Sequence, residues 1–249
     1  MLCPTPRGDD KKFSTSSPSF PMSQCITIFF LNVHSLNPRD KLNCLRFEVQ
    51  QYRYSIILLN ETFLSPDADP PSIEEYHALS LPLSSLRGGL LAYIHYSIPF
   101  LPRPSLNYTS PSTSNQHLCF TIQPHLSCPI NVSLAYRQPD SSASEDRLLY
   151  DAISPSISSD PHILFGDLHA PHPSFSRMAA SADLSRGNRL IQGLLQPNGL
   201  SICNTPHLPT RPNDHGVSYT LTYALLPNPQ LSAKFVSSTT PPSHPITSA

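Results

Sequence analysis

Ser55-Ile56-Ile57-Leu58-Leu59-Asn60-Glu61-Thr62 and His162-Ile163-Leu164-Phe165-Gly166-Asp167-Leu168-His169 decide the fold class. Each contains a short apolar run without alternation, rich in branched side chains, that breaks into polar residues. A strand with one wet face alternates, so an unbroken run of this kind is a strand covered on both faces. Both runs give way to an acidic residue, Glu61 or Asp167, where strand becomes loop.

Outward from these two runs, Cys25 to Leu31 is a further apolar stretch, enriched in β-branched and aromatic residues, that ends at Asn32. Pro38 suits the first turn of a helix, and Leu42, Leu45 and Val49 continue at helical spacing to about Tyr52. Leu90 to Tyr96 is a strand introduced by the Gly88-Gly89 turn, and His117 to Ile122 and Ile130 to Tyr136 are two more. A helix is expected from Glu145 to Ile153, another from Arg186 to about Gln196, and a late strand from Ser218 to Leu226. Residues 101–116 and 237–249, rich in Ser and Pro, read as loops. Strands joined by both hairpin-like and helical connections predict two packed sheets covered by helices, an α/β (α+β) class rather than a doubly wound sheet. Residues 1–23 lack periodicity and read as a disordered arm, leaving 24–249 as one domain.

Composition narrows the function less than the fold. Apolar residues are 39% and charged residues 13% of the chain, where ordinary domains carry roughly half and about a quarter. The net charge of −1 gives no global attraction to a polyanion, so any nucleic-acid contact needs a local basic site or a bridging cation. Six cysteines without C-x-x-C spacing argue against a disulfide framework and for a reducing, intracellular compartment. No apolar run reaches the length of a membrane span.

Polar residues recur at strand ends in a fixed order: Asn32, Glu61, Tyr136, Asp167 with His169, and His244. Leu31-Asn32-Val33-His34-Ser35-Leu36, Ile57-Leu58-Leu59-Asn60-Glu61-Thr62, Gly88-Gly89-Leu90-Leu91-Ala92-Tyr93, Ala135-Tyr136-Arg137-Gln138-Pro139 and Ile163-Leu164-Phe165-Gly166-Asp167-Leu168-His169-Ala170 follow one another along the chain. In that order they resemble the motifs of the endonuclease/exonuclease/phosphatase superfamily. Arg186-Gly187-Asn188-Arg189-Leu190, Asn198-Gly199-Leu200 and Pro209-Thr210-Arg211 resemble its apurinic-endonuclease-like domains in non-LTR retrotransposons. The resemblance implies a four-layer, DNase I-like sandwich and a Mg2+- or Mn2+-dependent nuclease acting on DNA, as a monomer, with nuclear residence. It implies Glu61 as principal metal ligand with Asn32 beside it, and Tyr136 on the scissile phosphate. Asp167 would act on the attacking water, and His244 on the phosphate or a proton.

The chain departs from the pattern at three places. His169 stands where the family has asparagine, Thr222 and Ser243 stand where it has aspartate, and one residue is missing between His244 and Pro245-Ile246. The chain also stops where a closing strand is expected, the mark of a degenerate, C-terminally truncated copy with marginal stability. A scarcity of residues with guanine-bearing codons, only 8 Gly and no Trp against 29 Pro, fits drift in a decaying repeat element, and the guanine content of the coding strand checks it. Two functions compete: an impaired DNA-nicking endonuclease, and a catalytically dead remnant with at most weak nucleic-acid binding. A small-substrate phosphatase is a third, opposed by the motifs around Arg186 and Pro209. A zinc site at His169 and His172 lacks further ligands at suitable spacing, and Arg137 alone reads as a surface charge.

Overall fold

The computed structural model describes residues 26–83, 88–123, 128–157, 161–172 and 184–203, and the backbone of 211–212, 218–219 and 222–226. The arm 1–23, the tail 237–249, Ser243 and His244 lie outside the described residues. In chain order the elements are β1 (Ile28–Asn32), α1 (Arg39–Tyr52), β2 (Ile56–Asn60), β3 (Tyr76–Leu81), β4 (Leu90–His95), β5 (Phe100–Pro102), β6 (Tyr108–Thr109), β7 (Gln116–Ile122) and β8 (Ile130–Tyr136). There follow α2 (Ala143–Ile157), β9 (His162–Asp167), α3 (Ser185–Leu190), β10 (Ser201–Ile202), β11 (Arg211–Pro212), β12 (Ser218–Tyr219) and β13 (Thr222–Leu226). No helix among the described residues is long and apolar enough to cross a membrane.

Among the described residues most strands form two mixed sheets, and β11 and β12 pair apart from them. One sheet has the order β1-β2-β4-β3, and the other β10-β13-β9-β8-β7-β5, with β6 alongside β7. Among the described residues only β1 with β2, and β8 with β9, are parallel pairs. Strand alternation sends Ile56 and Leu58 of β2 to the space between the sheets, where they meet Leu118, Phe120, Leu134 and Phe165. The intervening Ile57 and Leu59 face the opposite way and pack under Leu45 and Val49 of α1. On the far side, Leu149 and Ile153 of α2 and Leu190 of α3 cover Ala135 and Leu164 of the second sheet. This is the four-layer α/β/β/α sandwich expected from the sequence. It explains why β2 carries no polar alternation: both its faces are roofed.

Differences from the sequence reading have local causes. β1 is partly exposed because it lies at the end of its sheet, so its apolar run is covered less than that of β2. The stretch 101–116 is not all loop; β5 and β6 use its few apolar and aromatic residues to pair with β7. β3 escapes a pattern search because Tyr-His-Ala-Leu-Ser-Leu is half polar, as suits a strand paired through β4 alone. The helix expected to run on to Gln196 changes to a π-helical turn at Ile191–Leu195. Gly193 lies there against Tyr150 of α2, and a Cβ would stand 2.8 Å from its ring. The late strand divides into β12, which pairs with β11, and β13, which pairs with β9 and β10.

Two buried histidines make this core sensitive to acid. His117 is fully buried between the Leu106 carbonyl at 2.9 Å and Ser133 Oγ at 2.8 Å, and burial pushes its pKa down to about 4. His162 is also fully buried, and neither ring nitrogen has a hydrogen-bond partner among the described residues. Burial, then the nearby His117, pushes it down to about 3. The unfolded chain protonates both near the ordinary 6.5 while the folded chain does not. Stability is therefore complete above neutral pH and falls as pH drops below 6.5, by about 1.4 kcal/mol per pH unit for each histidine, until the folded values are reached. Urea denaturation at about pH 7.5 and pH 5 is expected to show this loss, and His162→Leu to roughly halve it.

Candidate active site where the parallel strands end

Because β1 parallels β2 and β8 parallels β9, Asn32 ends level with Asn60 and Tyr136 level with Asp167. Two carboxamides join these ends across the sheets. Asn60 Nδ2 donates to the Ala135 carbonyl at 3.1 Å, fully buried. Asn32 Nδ2 donates to Asp167 Oδ2 at 2.8 Å. The strand ends of both sheets, and the side chains they carry, thereby meet at one pole.

The loops leaving this pole are bent sharply. Among the described residues, His34, Ser35, Glu61, Phe63 and His169 all have left-handed backbone, with φ from 44° to 84°. Such conformations cost L-residues of order 1–2 kcal/mol each and persist where surrounding bonds hold them. Those bonds are present. Ser35 N–H donates to the Glu61 carbonyl at 2.7 Å and Leu36 N–H to that of Thr62 at 2.9 Å. Thr62 and Phe63 N–H groups donate to Gly89 and Gly88. Gly89 has φ +90°, and a Cβ there would lie 2.5 Å from Thr62 Oγ1. Lys41, in the first turn of α1, donates to the carbonyls of Val33 and His34.

Within this frame Glu61, Asp167 and His169 each present one ligand atom, and the three atoms lie within 4.8 Å of one another. The Glu61 side chain is 12% exposed, and Oε2 is 3.0 Å from His34 Nδ1. Its burial opposes ionisation. Hydrogen bonds from His34, Tyr136 and Asn32, with the charge of His169, together outweigh that and hold the carboxyl below its ordinary range. Asp167 Oδ1 is 3.4 Å from His169 Nε2, and the His169 ring stands edge-on to Tyr136 with centroids 5.9 Å apart. Thr222 pairs through its backbone with Asp167. Asn32, Glu61, Tyr136, Asp167 and His169 are thus gathered at one pole; His244 lies outside the described residues. His172 is not in the metal-competent cluster.

Three residues of this region carried no role in the sequence reading. His34, inside the first motif, braces Glu61. Asn60 ties the sheets together. Arg137 is not a surface charge: it is fully buried. Its guanidinium donates to Asp146 at 2.6 and 3.0 Å and to the carbonyls of Ser141, Leu168 and His169. Arg189 donates to the same Asp146 from α3 at 2.6 Å. A cation in that place is stable only with such partners, and here it fixes the loop that presents His169. Arg137→Lys removes the planar fork, and a urea titration is expected to show a loss of about 3 kcal/mol or more.

No family profile matches the sequence, and no curated protein sequence is significantly similar to it. Solved structures are. The endonuclease domain of TRAS1, a telomere-specific non-LTR retrotransposon, superposes with TM-score 0.63 at 14% identity, over 81% of this chain and 85% of that one. The AP endonuclease LMAP from Leishmania major gives 0.62 at 13% identity, over 80% and 78%. The 3' phosphatase NExo from Neisseria, solved with a product DNA hairpin, gives 0.57 at 15% identity, over 81% and 86%. At these identities the likeness is one of fold, and the chain has the DNase I-like fold of the endonuclease/exonuclease/phosphatase proteins.

Proposed function

We propose that this chain is a divalent-metal-dependent phosphodiester hydrolase that nicks DNA, of the retrotransposon endonuclease type, with impaired turnover. The observation that carries the reading is the convergence of Glu61, Asp167 and His169 within 4.8 Å, at strand ends braced by Asn32 and Tyr136. Phosphodiester cleavage needs charge offset on the phosphoryl oxygens and a positioned water, and few sites on a protein of this net charge could supply either.

The donor set fits a divalent cation. Two carboxylates, one held ionised by its hydrogen bonds, are hard oxygen ligands of the kind Mg2+ and Mn2+ take. Asn32 Oδ1 already accepts the His34 N–H at 3.1 Å, leaving one lone pair for a cation. When bound, the ion supplies positive charge toward the phosphoryl oxygens and makes a water a stronger nucleophile. Glu61 would be the principal residue to hold it. Asp167, with one carboxylate oxygen held by the Asn32 amide, would share the ion through the other and orient the attacking water. Tyr136, whose hydroxyl hydrogen-bonds Glu61, and His244 are assigned to the phosphate by resemblance alone.

A second reading, a catalytically dead remnant, is favoured by Thr222. Its backbone sits in register with Asp167, so a residue without a carboxylate stands beside the proposed base, and Ser243 offers none before His244. Losing the carboxylate that orients a catalytic histidine costs about 10⁴ in turnover in a serine protease. Nicking of supercoiled plasmid with Mg2+ or Mn2+ is therefore expected at a rate at least several hundred-fold below that of an intact relative, and to vanish in Glu61→Ala. Nicking that persists in Glu61→Ala, or does not occur at all, removes the hydrolase reading and leaves the remnant.

A further inference from the structure

His169 changes what this site can hold. We infer that its imidazole is a direct nitrogen ligand of the divalent ion, so that the site takes a first-row transition cation such as Mn2+ or Zn2+ in preference to Mg2+. The inference rests on the metal-dependent reading above and concerns which ion the same residues select.

The geometry supports direct ligation. His169 Nε2 and Asp167 Oδ1 are 3.4 Å apart, longer than the roughly 2.7–3.2 Å of an ordinary N–H···O hydrogen bond. That separation is close to the roughly 3.0–3.4 Å edge between neighbouring ligands around an ion with bonds of about 2.0–2.2 Å. Glu61 completes a group whose ligand atoms lie within 4.8 Å, a spacing that a small inward movement of one carboxylate closes onto a shared ion. The ring is also held in place before any ion arrives. Its side chain is 7% exposed, and Tyr136 packs edge-on to it at an interplanar angle of 87°. Arg137, itself immobilised by Asp146, donates to the His169 carbonyl at 3.4 Å. The left-handed backbone at His169, φ 44°, bends the chain two residues past the end of β9.

Chemistry then sets the preference. Mg2+ demands oxygen ligands, keeps its waters and gains little from imidazole, whereas imidazole is a good ligand for Mn2+ and better for later metals in the series. Two carboxylates and one imidazole are therefore a poorer set for Mg2+ than an all-oxygen site and a better one for Mn2+ or Zn2+. An amide side chain at position 169 would remove this preference.

The test measures binding, independent of catalysis. Isothermal titration of the purified chain with MnCl2 and MgCl2 is expected to show Mn2+ bound at least roughly tenfold more tightly, and His169→Asn to bring the two affinities within about twofold to threefold. Electron spin-echo spectroscopy of the Mn2+ complex is expected to show modulation from a directly bound ¹⁴N. That modulation is lost in His169→Asn, retained in His172→Ala, and retained in His34→Ala. Circular dichroism and thermal melts establish that each variant folds. No nitrogen coupling in the unaltered chain, or coupling that follows His34 instead, overturns the assignment whether or not the variants fold. Plasmid nicking abolished by Glu61→Ala but with an unchanged Mn2+/Mg2+ ratio in His169→Asn leaves the hydrolase reading standing and defeats this one. Nitrogen coupling without nicking does the reverse, and binding of neither ion at millimolar concentration defeats both.

Discussion

Two carboxamide bonds hold the functional half of this molecule together. Asn60 reaches from one sheet to the Ala135 carbonyl of the other, and Asn32 reaches across to Asp167. The apolar layer between the sheets, built from residues such as Leu58, Phe120 and Leu134, is non-directional and would tolerate sliding by a fraction of a residue. The amide bonds do not. A buried amide that loses its partner costs about 1–3 kcal/mol, so the sheets are pinned in the one register that brings Glu61 opposite Asp167.

Around that pin the protein concentrates its strain and its buried charge. Left-handed backbone at Glu61 and His169 bends the chain just past the ends of β2 and β9, and Gly89 lets the β4 entrance pass close to Thr62. The Arg137–Asp146–Arg189 cluster lies behind the same loop. Ion pairs of this kind add little net stability over a well-packed apolar alternative, but removing a single member is costly. Their contribution here is positional: a guanidinium with several fixed donors holds the carbonyls of Leu168 and His169 in place. With a net charge of −1 on the whole chain, attraction for a phosphate at this pole would have to come from a bound cation.

How far the sequence disclosed this depends on how each residue signals. β2 and the first part of β9 were legible because burial on both faces forces a short apolar run, and β8 because β-branched and apolar residues recur along it. β3, β5 and β6 were not, since a half-polar strand at the periphery needs only one good neighbour. The order of Asn32, Glu61, Tyr136, Asp167 and His169 was visible as a resemblance, and the fold gathers these residues at one pole. Arg137 was misread because its partners are Asp146, nine residues away in α2, and the Leu168 and His169 carbonyls, 31 and 32 residues away after β9. No local pattern reports a buried ion pair closed by tertiary contact. His34 looks like a loop residue by exposure and is one, yet its Nδ1 steadies Glu61. Thr222 shows the reverse case: a substitution legible in sequence whose significance comes from β13 setting its backbone level with Asp167.

The central claim is that positions 61 and 167 share one cation, and a double-mutant cycle on cation-induced stabilisation tests it most directly. Thermal melts of the unaltered chain, Glu61→Gln, Asp167→Asn and the double variant would be recorded with and without saturating MnCl2. If the carboxylates share an ion, Mn2+ raises the melting temperature of the unaltered chain. Each single change then abolishes most of that rise, and the double variant loses no more than either single one. Losses that add, each single variant keeping the share of the rise that the other removes, would mean that the two carboxylates act on separate ions or on none, and would contradict the account.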